Sequence, residues 1–388
     1  MSASNSTDAP ALAKEYRVVR LTREELKEQC KLDDFVMWGA PALELAQYQE
    51  EERMQRQTPF SQRGSIFWAL VRQSEQHNGD DEGDEGLVPG EDLIFCHCES
   101  HRFDCVVRSK DGELTRGFSH HVASVFTLPE FRKQGLAAFF LSQVRERLRK
   151  LPDALTSVLY SDIGPTYYDK LGWRVYPSTM ATLDVNHPRN GSRSTAAVPA
   201  AADEPQRFVL DQHLDEFLAA DNERLVQHLA SERYDNQAAF VVLPTRDSIE
   251  WQFCVGVHHA RVRGYSELPT QCGVRLPSAD ALVLWCYNIK ESTLYIVRAR
   301  FSQQSADANV QLLEAALEEA RKFQLRKVAI WDPAVELRAS ELQSRFELAF
   351  VERKGSLSSA LVFDHSGDNA AATSTLPVWV ANEKYAWV

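Results

Sequence analysis

Residues 125–137, VFTLPEFRKQGLA, decide how the chain is read. They close an alternating, strand-like run, GFSHHVASVFT (117–127), and lead into an apolar helical stripe from about residue 132 to 149. At the junction the large side chains stop. Gly135 follows Arg132 by three residues and precedes Ala137 by two, an R-x-x-G-x-A pattern. Small residues there let a ligand approach the backbone without a Cβ in the way. The first helical turn offers unpaired N–H groups and the positive end of the helix dipole, and together these favour a phosphate. Arg132 and Lys133 add charge from the side. Neither G-x-x-x-x-G-K-[ST] nor G-x-G-x-x-G is present, so the cradle is of another type.

Upstream, residues 24–57 have apolar positions at helical spacing, broken near Gly39 and Pro41. SIFWALVR (65–72) reads as a buried strand. GDDEGDEG (79–86) lacks calcium-loop spacing and reads as a solvated acidic insertion. DLIFCHCES (92–100) and FDCVVRSK (103–110) read as two strands joined by a short turn, and Asp111-Gly112 marks a hairpin. Downstream come a fifth strand, LTSVLYSDIG (155–164), and a short helix in TYYDKLGW (166–173). RVYPSTMATLDV (174–185) is expected to close the sheet. Residues 186–206, rich in Pro, Ala and Ser, read as a linker. Beyond it LDEFLAADNERLVQHLA (214–230) and NVQLLEAALEEARKF (309–323) are helical. IEWQFCVGVHHARV, ALVLWCYNI, TLYIVRARF, KVAIWDP and SALVFDH are strand-like.

The expected organisation is a disordered tail (1–15), a first domain (16–185), a linker (186–206) and a second domain (207–388) whose order of elements echoes the first. The 388 residues exceed what one core usually supports. The fold class is α/β, a mixed central sheet flanked by helices, with a second, degenerate copy. A composition of 44% hydrophobic and 25% charged residues is that of a globular protein. The N-terminus has no signal-peptide order, and no apolar run approaches a membrane span. The seven cysteines have no framework spacing, so reduced thiols in a cytoplasmic protein are expected. A net charge of -12 argues against a general nucleic-acid binder and would suit a cationic substrate. Cys96, Cys98 and His101 do not have zinc-site spacing and read as strand positions, so no metal is expected.

VFTLPEFRKQGLA resembles the acetyl-CoA pyrophosphate signature of the GCN5-related N-acetyltransferase superfamily, [R/Q]-x-x-G-x-[G/A]. YYDKLGW (167–173) resembles that superfamily's downstream Y-x-x-x-G-[F/W] motif. Both occur in the right order and strand–helix context, over residues 16–185. The resemblance implies an acetyl-CoA site at Arg132, Lys133, Gln134, Gly135, Leu136 and Ala137. The splayed end of the preceding strand would receive the pantetheine arm. Backbone N–H groups near Ser124, Val125 and Phe126 would face the thioester carbonyl.

Direct acetyl transfer to an amine needs alignment of the two reactants, a neutral amine and a proton for the leaving thiolate. The resemblance places Tyr168 as the proton donor, with Tyr167 as its neighbour and fallback. His121, eleven residues before Arg132, is the candidate base. A proton wire through water is the open alternative.

Between TLYIVRARF and the following helix the second half reads SQQSADA, with no glycine and no basic residue, so that junction should not hold pyrophosphate. The second half should instead complete the substrate site. The whole layout, with its NEKYAWV end (382–388), resembles a fungal acetyltransferase family that acetylates free L-lysine at N6 in lysine degradation. Asp33, Asp34 and Glu44 are the acidic candidates for the acceptor's ammonium. The tail is expected to bring Glu383, Tyr385 or its terminal carboxylate near the acceptor. Acetylation of a protein lysine, an N-terminus or a polyamine is the alternative within the enzyme class. A catalytically silent acyl-CoA-binding protein is the alternative outside it. The sequence carries no sign of oligomeric state.

Overall fold

The computed structural model describes residues 9–73, 83–191, 205–363 and 375–388. The first half runs α1 (Ala9–Glu15), β1 (Tyr16–Leu21), α2 (Glu24–Trp38), α3 (Leu45–Arg56), α4 (Pro59–Gly64), β2 (Ile66–Arg72), β3 (Cys96–Arg108) and β4 (Leu114–Thr127). It continues with α5 (Leu136–Arg149), β5 (Ala154–Ser161), α6 (Thr166–Asp169), β6 (Arg174–Val175) and β7 (Thr179–Asp184). The second half runs α7 (Pro188–Gly191), β8 (Gln206–Val209), α8 (Gln212–Leu229), β9 (Ala239–Leu243), α9 (Arg246–Val262), β10 (Gln271–Leu276), β11 (Ala281–Asn288) and β12 (Thr293–Arg300). It ends with α10 (Ala306–Lys322), β13 (Lys327–Trp331), α11 (Ser340–Arg345), β14 (Leu348–Glu352), β15 (Leu357–Val362) and β16 (Val378–Val380).

These strands form two mixed sheets that repeat one order. The first is β1-β2-β3-β4-β5-β15-β6, and the second is β8-β10-β11-β12-β13-β7-β14. In each, one pair is parallel, β4 with β5 and β12 with β13, and the rest of the series is antiparallel. The halves have exchanged a strand. Thr179–Asp184 does not close the first sheet, as its position in the sequence suggests. It lies between β13 and β14, burying Ala181 and Leu183 in the second half's core. In return, β15 fills the slot between β5 and β6. Period-two alternation gives the strand but not its partner, because either slot offers the same antiparallel edges. Two more strands extend the first sheet, β9 on the far half of β3 and β16 on β9.

Other elements also differ from expectation. Cys96–Arg108 is one continuous strand rather than two. IEWQFCVGVHHARV lies in helix α9, opened by a reciprocal cap between Thr245 and Ser248. Its buried Ile249, Phe253, Gly256 and Ala260 recur at helical spacing. Gly256 has no substitute there: a Cβ would meet the Tyr287 carbonyl oxygen at 2.5 Å. Ala9–Glu15, expected in a disordered tail, is helical. Residues 79–82 of the acidic run lie outside the described residues. Asp84 in the same run is buried, not solvated, and accepts from the Thr22 N–H at 2.7 Å. Among the described residues no helix is long and apolar enough to cross a membrane.

Candidate active site

Two irregularities open the first sheet at one place. β4 pairs with β5 only as far as Val122 opposite Leu159. Beyond that point β5 continues, paired on its other edge with β15 from Thr156 opposite Val362 to Ser161 opposite Leu357, while β4 diverges and its edge is left free. On its other side β4 bulges. Phe126 lies opposite His97 and Ala123 opposite Glu99, so Ser124 and Val125 share one position. Ser124 takes up the extra residue in the left-handed region, with φ 52°. A bulge beside a parting pair leaves backbone donors without a ladder partner, which is what an acyl carbonyl needs.

The loop after β4 supplies the anion cradle. Gly135 caps α5 with φ 83°, and Lys133 is also left-handed at 63°. Both residues turn the chain so that the first-turn N–H groups face outward. Arg132 donates to the Thr127 carbonyl at 3.0 Å, and its guanidinium lies over the Phe126 ring at 5.4 Å. Gln134 donates to the Glu130 carbonyl at 3.0 Å. Arg132, Lys133 and Gln134 are exposed, Ala137 is half-buried, and Leu136 is buried in the core under the loop. These residues fit an acyl-CoA pyrophosphate, and the free β4 edge fits its extended arm.

A cavity of about 510 Å³ lies between the two halves, floored by Val122–Val125 and walled by Tyr168. Burial raises the Tyr168 pKa above the ordinary tyrosine value. Tyr167 packs edge-on to it at 5.2 Å and does not line the cavity. The acidic wall is made by Glu51 and Glu52 of α3 and Glu99 of β3. Buried Lys31 ties two of these together, 2.8 Å from Glu52 and 2.7 Å from Glu99. Burial would raise the Glu99 pKa, but Lys31 and His101 outweigh it and hold it at about 2. His101 hydrogen-bonds to Ser65 at 2.7 Å, and burial pushes its pKa down to about 4. His259 of α9 pairs with Glu51 at 2.9 Å.

Several predicted residues lie elsewhere. His121 shares the sheet face of Glu99 and His101, but the tail covers it. Its Nδ1–H donates to the Ala386 carbonyl at 2.7 Å, its Nε2 accepts from Ser119 at 2.9 Å, and it does not line the cavity. Burial pushes its pKa down to about 3. Phe126 is buried beside His97 and Trp38, off the cavity. Asp33 and Asp34 do not reach it either. Asp34 turns into the core with Leu26, Cys30 and Lys31 and accepts from the Tyr48 hydroxyl at 2.8 Å. Glu44 is an exposed helix cap. Of the carboxylates that do reach the cavity, Glu51 and Glu52 belong with Tyr48 and Gln55 to a polar stripe at helical spacing on α3, while Glu99, Asp162 and Glu291 come from other elements. That stripe was the overlooked signal, a polar face where a core face would be apolar.

Glu383 and Tyr385 hold the tail down rather than face the acceptor. The second sheet repeats the irregularities of the first: β12 pairs with β13 only to Ile296, and its register against β11 shifts beside Val297. The tail plugs this second opening. Asn382 donates to Asp332 just past β13, at 3.1 Å, and Glu383 accepts from the Ala299 N–H of β12, also at 3.1 Å. Glu383 also pairs with buried Arg298 at 2.7 Å, and the Tyr385 hydroxyl donates to the Val242 carbonyl at 2.7 Å. The Gln252 amide of α9 clamps the carbonyls of Lys384, Tyr385 and Trp387. Lys384, Trp387 and Val388 are thereby left on the cavity wall.

Residues 190–388 match a family model described as the LYC1 GNAT-like C-terminal domain. No curated protein matches the chain. Among solved structures, a GCN5-related N-acetyltransferase from Kribbella flavida is 14% identical with a TM-score of 0.50, covering 90% of this chain and 71% of that one. A conserved protein of unknown function from Enterococcus faecalis V583, a probable N-acyltransferase, is 11% identical with a TM-score of 0.50, covering 89% and 72%. These likenesses concern the fold, a tandem GNAT-like arrangement of two mixed sheets.

Proposed function

Since the chain belongs to the family defined by the LYC1 GNAT-like C-terminal domain, we propose that it is an acetyl-CoA-dependent N-acetyltransferase acting on a small amine, free L-lysine at N6. One observation carries this reading: the bulged, free end of β4 and Tyr168 open into a cavity between the halves with carboxylates on its wall. Acetyl-CoA supplies an acyl thioester. The Gly135 loop and the first turn of α5 hold its pyrophosphate, and the free β4 edge lines its arm. The Ser124 and Val125 backbone orients the thioester carbonyl. Glu51, Glu52 and Glu99 draw in an ammonium group. Deprotonating a lysine amine at pH 7 costs about 4.6 kcal/mol. The proton leaves to solvent along water that His101 and the carboxylates beside it hydrogen-bond. As the C–N bond forms and the C–S bond breaks, Tyr168 gives its proton to the thiolate.

The cavity's volume of about 510 Å³ and its walls set the size of the acceptor. Helices α3 and α9 and the tail wall the cavity together, which suits a free amine better than a peptide segment. The test is thiol release from acetyl-CoA by the purified full-length chain with L-lysine, ornithine, spermidine or a lysine-containing peptide. Lysine-dependent release with an N6-acetyl product is expected. Release only with the peptide would move the protein to the protein-modifying branch. Acetyl-CoA binding without release to any of these amines would overturn the reading in favour of a silent binding module.

A further inference from the structure

We propose that Lys384 anchors a carboxylate on the acceptor, so that the site takes amino acids in preference to plain diamines; this rests on the acetyltransferase reading above. Lys384 lies in the short 3-10 turn Lys384–Ala386 and is only 5% exposed, yet it lines the cavity. Among the described residues no carboxylate is within ion-pair distance of its ammonium. Its neighbours are aromatic: Nζ sits 3.1 Å from the centre of the Trp387 ring, 4.6 Å from Trp331 and 5.1 Å from Tyr295. Glu291, an opposing charge on this wall, accepts from the Tyr295 hydroxyl at 2.9 Å. Arg353 lies on Trp331 as well, at 3.4 Å, but does not line the cavity.

A buried cation without an anion is costly unless a ligand supplies one. Burial pushes the Lys384 pKa well below the ordinary lysine value, with Arg353 adding to the effect and Glu291, Cys286 and Asp162 opposing it. A carboxylate arriving beside it would restore the charge and form a charge-assisted hydrogen bond. The position is close to the chemistry. Tyr160 follows Leu159, where β4 and β5 part, and its ring is 5.7 Å from that of Trp331. The cavity therefore has a carboxylate wall on α3 and β3 and a lysine on the tail, a polarity that matches an amino acid with a second amine.

The test compares kcat/KM for L-lysine and for 1,5-diaminopentane, which lacks the carboxylate, in the full-length wild type, K384M and K384R. Wild type should favour L-lysine by about 10- to 100-fold, the range of one hydrogen bond to a charged group. K384M should lose that preference through a higher KM for L-lysine, with its rate on the diamine within about threefold of wild type. K384R, which keeps the charge, should retain most of the preference. An equal preference in K384M and wild type would overturn the proposal alone. Should K384M fail to fold, L-lysine amide takes its place as the test in wild type, where rates equal to L-lysine would overturn the proposal. Inactivity of wild type toward every amine would overturn the acetyltransferase reading and this proposal with it.

Discussion

Tyr168 keeps its phenolic proton through the neutral range, as an ordinary tyrosine does, and burial raises its pKa further, so a proton is at hand for a leaving thiolate. Tyr168→Phe is expected to lower kcat by about 10²-fold or more, with the KM for acetyl-CoA little changed. An unaltered kcat in steady-state assays would remove Tyr168 from the mechanism. The strand histidines make a different prediction. Burial holds His97 and His121 at about 3 and His101 and His120 at about 4. Unfolded, each would take up a proton near pH 6.5. The unfolded chain thus binds more protons between pH 6.5 and 4, and stability falls as pH falls through that window. Asp34 and Glu383, both pushed up to about 7 by burial, act in the opposite sense. Asp33, Glu52 and Asp332, also raised by burial, add to that opposing sense, so the histidine contribution is read by difference: His121→Gln should make Tm fall less between pH 6.5 and 4.5 than in wild type, and an equal fall would refute this. Tyr168 and Gly135 were legible in the sequence because each belongs to a spaced motif. His121 was not, since its cover is Ala386, 265 positions away in sequence.

Elements succeed or fail here by how they end. Gly135 starts α5 in the left-handed region, where a β-branched residue is strained and would also crowd the cradle. Gly135→Val should weaken acetyl-CoA binding by at least about tenfold in calorimetry, given a cost of 1–2 kcal/mol for the backbone alone. Affinity equal to wild type would show that the loop does not hold the cofactor. The tail is held by a buried ion pair, and Glu383→Ala leaves Arg298 with Asp221 alone. A loss of about 3 kcal/mol in urea unfolding is expected; no loss would mean that the plug in the second opening contributes nothing. Helix α9 shows why some elements were misread. Its β-branched and aromatic residues imitate a strand, and only the Thr245–Ser248 cap and the spacing of its buried residues reveal a helix. The α3 stripe of Tyr48, Glu51, Glu52 and Gln55 was visible in the sequence, but its direction depends on α9 packing against it.

At the scale of the whole molecule, the two halves are tied by exchange. β7 completes the second sheet and β15 the first, so neither half can close its own sheet. Calorimetry should therefore show one cooperative transition for the full chain, and residues 1–191 alone should not fold; two independent transitions would contradict the exchange. The repeat of elements was legible because each half carries its own strands and helices in the same order. The exchange was not, because strand partners are set by tertiary contacts. The same interleaving builds the cavity, with Val122–Val125 and Tyr168 from one half and α9 and the tail from the other. The most direct measurement is calorimetric binding of a conjugate in which coenzyme A is joined through an acetyl link to N6 of L-lysine. A conjugate that spans both sites should bind about 10²-fold or more tighter than coenzyme A alone. Binding no tighter than coenzyme A would contradict the claim that cofactor and amino acid meet in this cavity.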